Sequence, residues 1–278
     1  MLKLFKQISE ATAHIQKVWD KQPQAGIVLG TGLGHFVEQI EVEAEIDYEE
    51  IPHFPQSTAT SHRGRLVCGN CEGVAVMVME GRVHLYEGHR AQAITLPVRV
   101  MRAMGADWLI VSNAVGGMNP NYRAGDIMVV EDHINLMNDN PLIGINDDRL
   151  GPRFPDMSSP YDSQMVDEAL AVARREDFVA HKGVLVTVTG PNLETRAEYR
   201  FLRMIGADVV GMSLVPEVIT AVHCGLRSIG FSVISDMCLP DALEVAEVDT
   251  IIATANAAEP KLRALVCGML KRIAENKS

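Results

Sequence analysis

The chain has 278 residues, of which 47% are hydrophobic and 22% are charged, as in an ordinary globular enzyme. A net charge of −11, a pI near 5.3 and the lack of a Lys/Arg cluster argue against binding to nucleic acid, because phosphate neutralisation needs clustered cations. The segment Met1–Asp20 lacks a signal-peptide core, no apolar run approaches the roughly 18–20 residues of a membrane span, and five scattered cysteines fit a reducing compartment, so we expect a cytoplasmic protein without a membrane partner.

Strand and helix patterns alternate along the first half of the chain. In chain order we predict a strand at Ala25–Leu29, a turn at Gly30-Thr31-Gly32-Leu33-Gly34, a hairpin of Arg65–Cys68 and Val74–Met79, a helix at Ala91–Met104 that ends at Gly105, a strand at Trp108–Ser112, a turn at Asn113-Ala114-Val115-Gly116-Gly117 and a strand at Ile127–Val130. The Cys68 and Cys71 pair flanks the hairpin turn and has no second cysteine pair to complete a zinc site.

The second half continues the alternation after an irregular segment, Asn135–Ser159. The predicted elements are a helix at Tyr161–Glu176, a strand at Val184–Val188, a helix at Arg196–Ile205, a strand end at Asp208–Gly211, a helix at Glu217–Cys224, a strand at Ile229–Ile234 and a helix at Thr250–Ala274 interrupted at Pro260. No linker or repeat is evident, so we expect one α/β domain over residues 1–278, with a central mixed, largely parallel sheet flanked by helices.

Polar residues follow several of these strands. Glu194 comes after the strand Val184–Val188, behind Gly190-Pro191, which cannot continue a strand, and before Thr195, which can cap the next helix. Ligands collect at the carboxyl ends of strands in open α/β proteins. A carboxylate held there can accept hydrogen bonds from N–H groups of a planar ring.

The segment Glu80–Gly88 carries Arg82, His84 and Tyr86 with the spacing of one face of an extended chain. Arg supplies a planar fork for an oxyanion, and His supplies a further donor. A structural role for each residue is the alternative. A metal pair of His84 with His89 lacks a third ligand nearby, so we expect no metal.

Further anion contacts are available elsewhere in the chain. The glycine-rich turn after Ala25–Leu29 suits a backbone cradle for phosphate, although it is neither a Walker loop nor a dinucleotide fingerprint and could be only a tight turn. His62 in Ser61-His62-Arg63, the amides of Asn113-Ala114 and the hydroxyl of Ser213 could add to such a site.

Five motifs in the same order along the chain resemble those of the trimeric purine nucleoside phosphorylases. They are Gly30-Thr31-Gly32-Leu33-Gly34, Gly81-Arg82-Val83-His84-Leu85-Tyr86-Glu87-Gly88, Asn113-Ala114-Val115-Gly116-Gly117, Gly190-Pro191-Asn192-Leu193-Glu194-Thr195 and Gly211-Met212-Ser213-Leu214-Val215-Pro216-Glu217-Val218. The resemblance implies that a purine (deoxy)ribonucleoside and phosphate give free base and pentose 1-phosphate, with phosphate as co-substrate and no cofactor.

The resemblance also implies roles for individual residues. Phosphate would be held by Thr31, His62, Arg82, His84, Ala114 and Ser213. The sugar and base would be contacted by Tyr86, Met212, Leu193, Glu194, Asn113, Asp236 and Val248, with His84, Glu194 and Asp236 taking part in catalysis. Phe154 matches an aromatic residue that such enzymes lend across a subunit boundary, so a homotrimer is expected.

Three residues depart from the commonest family pattern. Thr31 replaces a Ser but keeps the hydroxyl. Asp236 stands where members selective for 6-oxopurines carry Asn; if protonated, it can donate to N7 and accept from a 6-amino group, whereas Glu194 matches the N1–H of a 6-oxopurine. Val248 stands where many members carry a His for the 5′-hydroxyl and would suit a 5′-methylthio group, although helix core is an alternative role.

These departures predict a purine nucleoside phosphorylase with widened acceptance of 6-aminopurines. The alternative within the same chemistry is a methylthioadenosine phosphorylase, which the run Glu247-Val248-Asp249 also resembles. A nucleoside hydrolase would need clustered aspartates near the N-terminus for Ca²⁺, but the first sixty residues hold only Asp20 and Asp47. A non-catalytic purine-binding module would not need the phosphate set.

Overall fold

The computed structural model describes residues 2–30, 34–57 and 63–275. Within these ranges, nine strands form one sheet. The strands are β1 Ala25–Val28, β2 Glu41–Asp47, β3 Arg65–Cys71, β4 Val74–Glu80, β5 Trp108–Gly117, β6 Ile127–Leu136, β7 Ala180–Val188, β8 Val209–Gly211 and β9 Arg227–Met237. Their order is β2-β3-β4-β1-β5-β8-β7-β6-β9, and a further pairing of β5 with β9 closes the last five strands into a ring.

The sheet is mixed, as predicted. Five of its nine pairings are parallel (β1 with β4 and β5, β5 with β9, β7 with β6 and β8), so parallel pairs exceed antiparallel pairs by one. Because β4, β1, β5 and β9 are parallel neighbours, their carboxyl ends lie at one edge of the sheet. This is the edge at which ligands bind in open α/β folds.

Seven α-helices surround the sheet in the described part of the chain. They are α1 Leu2–Val18, α2 Ala91–Ile94, α3 Leu96–Met104, α4 Ser163–Arg175, α5 Arg196–Met204, α6 Val215–His223 and α7 Val248–Glu275. Their buried apolar residues, such as Ile15, Val172 and Leu265, join those of the strands in a large core. None of the helices over residues 2–275 that the structure describes has the length and apolarity to cross a membrane.

Local sequence signals explain several helix boundaries. Gly105 ends α3 in the left-handed conformation, with φ of 111°, as predicted. The single helix predicted over Ala91–Met104 is instead divided at Thr95. Pro97 lacks the N–H that would bond to the carbonyl of Ala93, so the hydrogen-bond ladder is interrupted there.

Two predicted turns differ from the structure. The segment Asn113–Gly117 continues β5, because its glycines permit close packing: a Cβ on Gly116 would lie 2.5 Å from Sγ of Cys238, and one on Gly117 would lie 2.9 Å from Cγ2 of Ile234. The hairpin turn lies at Glu72-Gly73 rather than between Cys68 and Cys71 as predicted, because β3 continues to Cys71, and Oδ1 of Asn70 accepts from the backbone N of Gly73 at 3.0 Å. The continuation of β5 comes from tertiary contacts that periodicity does not encode.

Candidate active site

A cavity of about 180 Å³ lies at the edge formed by the carboxyl ends of β1, β4, β5 and β9. It brings together residues from widely separated parts of the chain. Of the residues singled out in the sequence, its lining includes Arg82, His84, Tyr86, Asn113, Ala114, Leu193, Glu194, Met212, Ser213 and Asp236. The parallel arrangement of the four strands is the reason that these segments converge.

Arg82 follows β4 and is buried, with 2% of the residue exposed. Its Nη1 donates to the carbonyl of Ser112 at 2.7 Å and to Oγ of Ser213 at 3.0 Å. Its Nε lies 3.1 Å from Oε1 of Glu217, which is also buried on α6. Burial lowers the pKa of Arg82, and the carboxylate of Glu217 opposes that shift. The guanidinium is therefore fixed beside the Ser213 hydroxyl, in a geometry suited to an oxyanion.

His84 and Tyr86 complete this side of the cavity. Their rings stack with centroids 4.7 Å apart and planes inclined by 12°. His84 receives further support from Glu87, whose Oε1 lies 3.1 Å from Nδ1 of His84 and 2.7 Å from its backbone N. Because the carboxylate accepts both contacts, it assigns the Nδ1 proton and holds the ring in place. The short 3₁₀ turn Leu85–Glu87 carries Tyr86 to the cavity rather than the extended backbone predicted.

Backbone groups approach the cavity closely at the end of β1. The N–H of Gly30 donates to Oγ of Ser112 at 3.2 Å. A Cβ on Gly30 would lie 2.7 Å from the carbonyl oxygen of Ser112 and 2.9 Å from the Cα of Asn113. Only glycine fits there, since both neighbours are backbone atoms. Thr31, Gly32 and Leu33 of the predicted cradle lie outside the described residues, as does His62, and Gly34 begins the 3₁₀ helix Gly34–Gln39.

Glu194 lies before the capping box that starts α5. Thr195 Oγ1 accepts from the backbone N of Glu198 at 3.2 Å, and Glu198 Oε2 accepts from the backbone N of Thr195 at 2.7 Å. This confirms the predicted cap and fixes the position of Glu194. Burial raises the pKa of the Glu194 carboxyl, while a hydrogen bond from Tyr199 lowers it. The hydroxyl of Tyr199 thus favours the ionised form of Glu194.

Asp236 lies near the end of β9 and has two side-chain neighbours. Its Oδ1 lies 2.8 Å from Oγ of Ser235, and its Oδ2 accepts from Sγ of Cys238 at 3.2 Å. Burial is the main cause of a raised pKa of the Cys238 thiol, and the Asp236 carboxyl adds to it, so Cys238 stays a neutral donor. Side-chain contacts with Ser235 and Cys238 therefore orient Asp236.

The two ends of the Asn113 side-chain amide, within β5, differ in their hydrogen bonding. Its Oδ1 accepts from Oγ of Ser232 at 2.8 Å, which assigns the orientation of the amide. Its Nδ2 is buried and has no hydrogen-bond partner in the described part of the chain. Gly211 makes room for it, since a Cβ there would lie 3.0 Å from Nδ2. A buried donor without a partner is costly, so this amide is suited to a ligand.

Two predicted substrate-binding residues do not line this cavity. Phe154 is 87% exposed and lines a different depression with His133 and Asn140. Val248, at the start of α7, is 65% exposed, so it does not belong to the helix core. Ile251, about one turn further along α7, lines the cavity instead.

Sequence reasoning assigned no role to Glu217, Tyr199 or Cys238. Glu217 sits within the otherwise apolar helix Val215–His223, and a lone carboxylate in such a helix was the available signal for a buried ion pair. Tyr199 and Cys238 gave no comparable signal, since each resembles an ordinary core residue. Over the residues that the structure describes, no group of three or more His, Cys, Asp and Glu side chains could hold a metal ion.

Comparison with known proteins agrees with this geometry. Residues 24–271 match the family model described as Phosphorylase superfamily. Purine nucleoside phosphorylase 1 of Bacillus subtilis (strain 168) is 50% identical over 229 residues, which cover 82% of this chain and 84% of that protein. Purine nucleoside phosphorylase 1 of Geobacillus stearothermophilus is 43% identical over 269 residues, which cover 97% of this chain and 98% of that protein.

The fold also matches solved structures. Isoform 2 of purine nucleoside phosphorylase from Schistosoma mansoni, in complex with cytosine and ribose-1-phosphate, superposes with a TM-score of 0.92 at 37% identity and covers 96% of both chains. The chain therefore belongs to the phosphorylase superfamily, and within it to the purine nucleoside phosphorylases.

Proposed function

We propose that the cavity carries out reversible phosphorolysis of purine ribonucleosides and deoxyribonucleosides, with acceptance of both 6-oxopurines and 6-aminopurines. The enzyme is a pentosyltransferase, as the comparisons indicate. The observation that carries the site assignment is the convergence of Arg82, His84 and Ser213 with Glu194 and Asp236 on one cavity. An oxyanion set and a purine-binding set thus face the same cavity.

The oxyanion set holds the attacking phosphate. Arg82 and Ser213 are already linked at 3.0 Å, so their donors are organised before phosphate arrives. Cleavage of the glycosidic bond builds positive charge on the sugar, and a phosphate dianion held beneath C1′ stabilises that charge and then captures the carbon. Pre-positioning of phosphate and nucleoside lowers the barrier by several kcal/mol, on the order of the effective-molarity effect. We place Thr31, His62 and the backbone at Ala114 in this set by family analogy.

The purine set stabilises the leaving base. As a carboxylate, Glu194 accepts from the N1–H of a 6-oxopurine, and the unpartnered Nδ2 of Asn113 supplies a buried donor. Asp236, when protonated, donates to N7 while its carbonyl accepts from a 6-amino group. Both kinds of base are represented among relatives: Schistosoma purine nucleoside phosphorylase structures at 35% identity contain hypoxanthine in one case and adenosine in another. Tyr86, Leu193 and Met212 supply the remaining contacts to sugar and base.

We also propose that the protein is a cytoplasmic homotrimer of purine salvage and that residues 1–278 constitute one phosphorylase domain. The exposure of Phe154, an apolar aromatic side chain that is 87% accessible, supports a role across a subunit boundary. The case for a methylthioadenosine phosphorylase rested on Val248, which does not line the cavity. Nothing in the comparisons favours that alternative.

A substrate panel tests this function. Inosine, guanosine, adenosine and methylthioadenosine are incubated with the protein, with and without phosphate, and free base and pentose 1-phosphate are measured. We expect phosphate-dependent release from inosine, guanosine and adenosine. Release without phosphate that a chelator abolishes would indicate a hydrolase, and binding without release would indicate a non-catalytic module. Turnover of neither 6-amino substrate would refute the argument from Asp236.

A further inference from the structure

A second, larger cavity of about 560 Å³ lies away from the active site. It is bounded by α1, by α3, by Arg149 and Leu150, and by Cys224 at the end of α6. The active-site residue Ser213 precedes the other end of α6, and a nine-residue helix is about 13 Å long, so the two cavities are distinct.

Arg99 is the central polar residue of this second cavity. It is 4% exposed and, among the residues described, forms no ion pair with a carboxylate. Its Nη1 lies 3.1 Å from Nδ1 of His223, and its Nε is buried without a hydrogen-bond partner in the described ranges. Burial, with a contribution from Arg99, lowers the pKa of His223 to about 4. His223 is therefore neutral at pH 7 and accepts from Arg99.

A second unsatisfied polar atom belongs to another residue of the cavity lining. Oγ1 of Thr12, on α1, is buried and has no hydrogen-bond partner within the described chain, and Thr12 lines this cavity. Arg102 and Arg149 line it as well, each paired with one aspartate: Asp107 at 2.7 Å and Asp147 at 2.6 Å. Arg102 and Arg149 are each neutralised by one aspartate, whereas Arg99 has no carboxylate partner among the described residues, so the excess positive charge resides on Arg99.

We propose that this cavity binds a phosphate monoester, with the phosphate on Arg99, Arg102 and Thr12 and the organic body against the apolar wall. Phosphate oxygens satisfy guanidinium donors in pairs and accept from a hydroxyl, and these are the donor types that Arg99, Arg102 and Thr12 supply. Phe5, Ile8 and Leu150 form the wall, and the volume is within the range of sites for small organic ligands. The site is independent of the proposed reaction, since none of these residues lines the active-site cavity.

Equilibrium dialysis of the full-length protein tests the proposal. The probes are guanosine 5′-monophosphate, ribose 5-phosphate and inorganic phosphate. The variants are Arg99→Met, Arg102→Met and Thr12→Val, and the matched control is Arg174→Met, which removes the same charge from an exposed position on α4. We expect the wild type and the control to bind a monoester equally, and Arg102→Met to bind it about tenfold more weakly, as for the loss of a charge-assisted hydrogen bond.

Thermal unfolding and nucleoside phosphorolysis of each variant show whether it folds. If Arg99→Met does not fold, Arg102→Met and Thr12→Val decide the question, because Arg102 is partly exposed and Val keeps the shape of Thr. Monoester binding that neither variant changes would overturn the proposal. Binding of inorganic phosphate alone, with no monoester bound, would overturn it too, since the apolar wall would then have no role.

Discussion

Replacement of Glu217 by Gln tests whether the buried ion pair of Arg82 and Glu217 stabilises the fold but weakens the binding of phosphate. Arg82 and Glu217 are 3.1 Å apart, and their side chains are 2% and 5% exposed. Glu217→Gln keeps the shape but leaves the guanidinium without a counter-charge. Breaking a buried pair from one side costs about 3–5 kcal/mol. For a chain of this size each kcal/mol corresponds to roughly 2–4 °C, so without phosphate the melting temperature should fall by about 6–20 °C.

Phosphate should reverse much of this loss. Glu217 repels a bound phosphate, and a unit charge at about 8 Å in an effective dielectric constant of about 20 contributes about 2 kcal/mol. The variant lacks that repulsion, so phosphate should bind it more tightly and stabilise it more than the wild type. A phosphate concentration of a hundred times the dissociation constant adds about 2.7 kcal/mol to the free energy of unfolding by mass action. A variant that binds phosphate more tightly gains more at the same concentration.

The assay is thermal unfolding, followed by circular dichroism, across a phosphate titration. The matched control is Glu259→Gln, which alters another buried glutamate, on α7, 3.9 Å from Arg263 and absent from the lining of the active-site cavity. Its response to phosphate should equal that of the wild type. A phosphate-dependent gain in Glu217→Gln no larger than the wild-type gain would refute the reasoning.

Three further substitutions probe the purine side. Asp236→Asn should shift the ratio of inosine to adenosine kcat/KM upward by about tenfold, the order of magnitude of one buried hydrogen bond. Tyr199→Phe removes a hydrogen bond that lowers the pKa of Glu194, so that pKa should rise and the acidic limb of the inosine pH–rate profile should move to higher pH, because the ionised form binds N1–H. Thr195→Ala should reduce the free energy of unfolding in urea by about 1 kcal/mol and raise the KM for inosine, through loss of the cap that fixes Glu194.

Each of these substitutions has a matched control or an outcome that contradicts it. Cys238→Ser retains a donor to Asp236 and should leave the base ratio near that of the wild type; an unchanged ratio in Asp236→Asn would remove Asp236 from base selection. An acidic limb that stays in place or moves to lower pH in Tyr199→Phe would contradict the role of its hydroxyl. Thr195→Ser should retain the cap, so equal losses in Thr195→Ser and Thr195→Ala would exclude capping as the cause.

Much of the fold could be predicted because its signals are local. The strand at Ala25–Val28, the helix ended by Gly105 and the helix capped by Thr195 each depend on apolar runs, on a glycine or on a hydroxyl within a few residues. The strand Glu41–Asp47 was not predicted, since it is short of apolar residues and mostly exposed. This segment forms a strand because it pairs with β3, which lies outside the segment and is not visible in its local sequence.

The active site likewise combines features that local motifs indicate with features that depend on tertiary packing. The sequence by itself indicated which segments are candidates for oxyanion and base contacts, because Arg82 with His84, Asn192-Leu193-Glu194 and Met212-Ser213 occur as contiguous motifs beside strands. Only the tertiary structure decided that Glu217 lies under Arg82, that Tyr199 adjusts the ionisation of Glu194, that Cys238 orients Asp236, and that Ile251 lines the cavity where Val248 does not. The physical reason is that burial and hydrogen bonding between residues far apart in sequence depend on how strands and helices pack, and no local pattern records that packing.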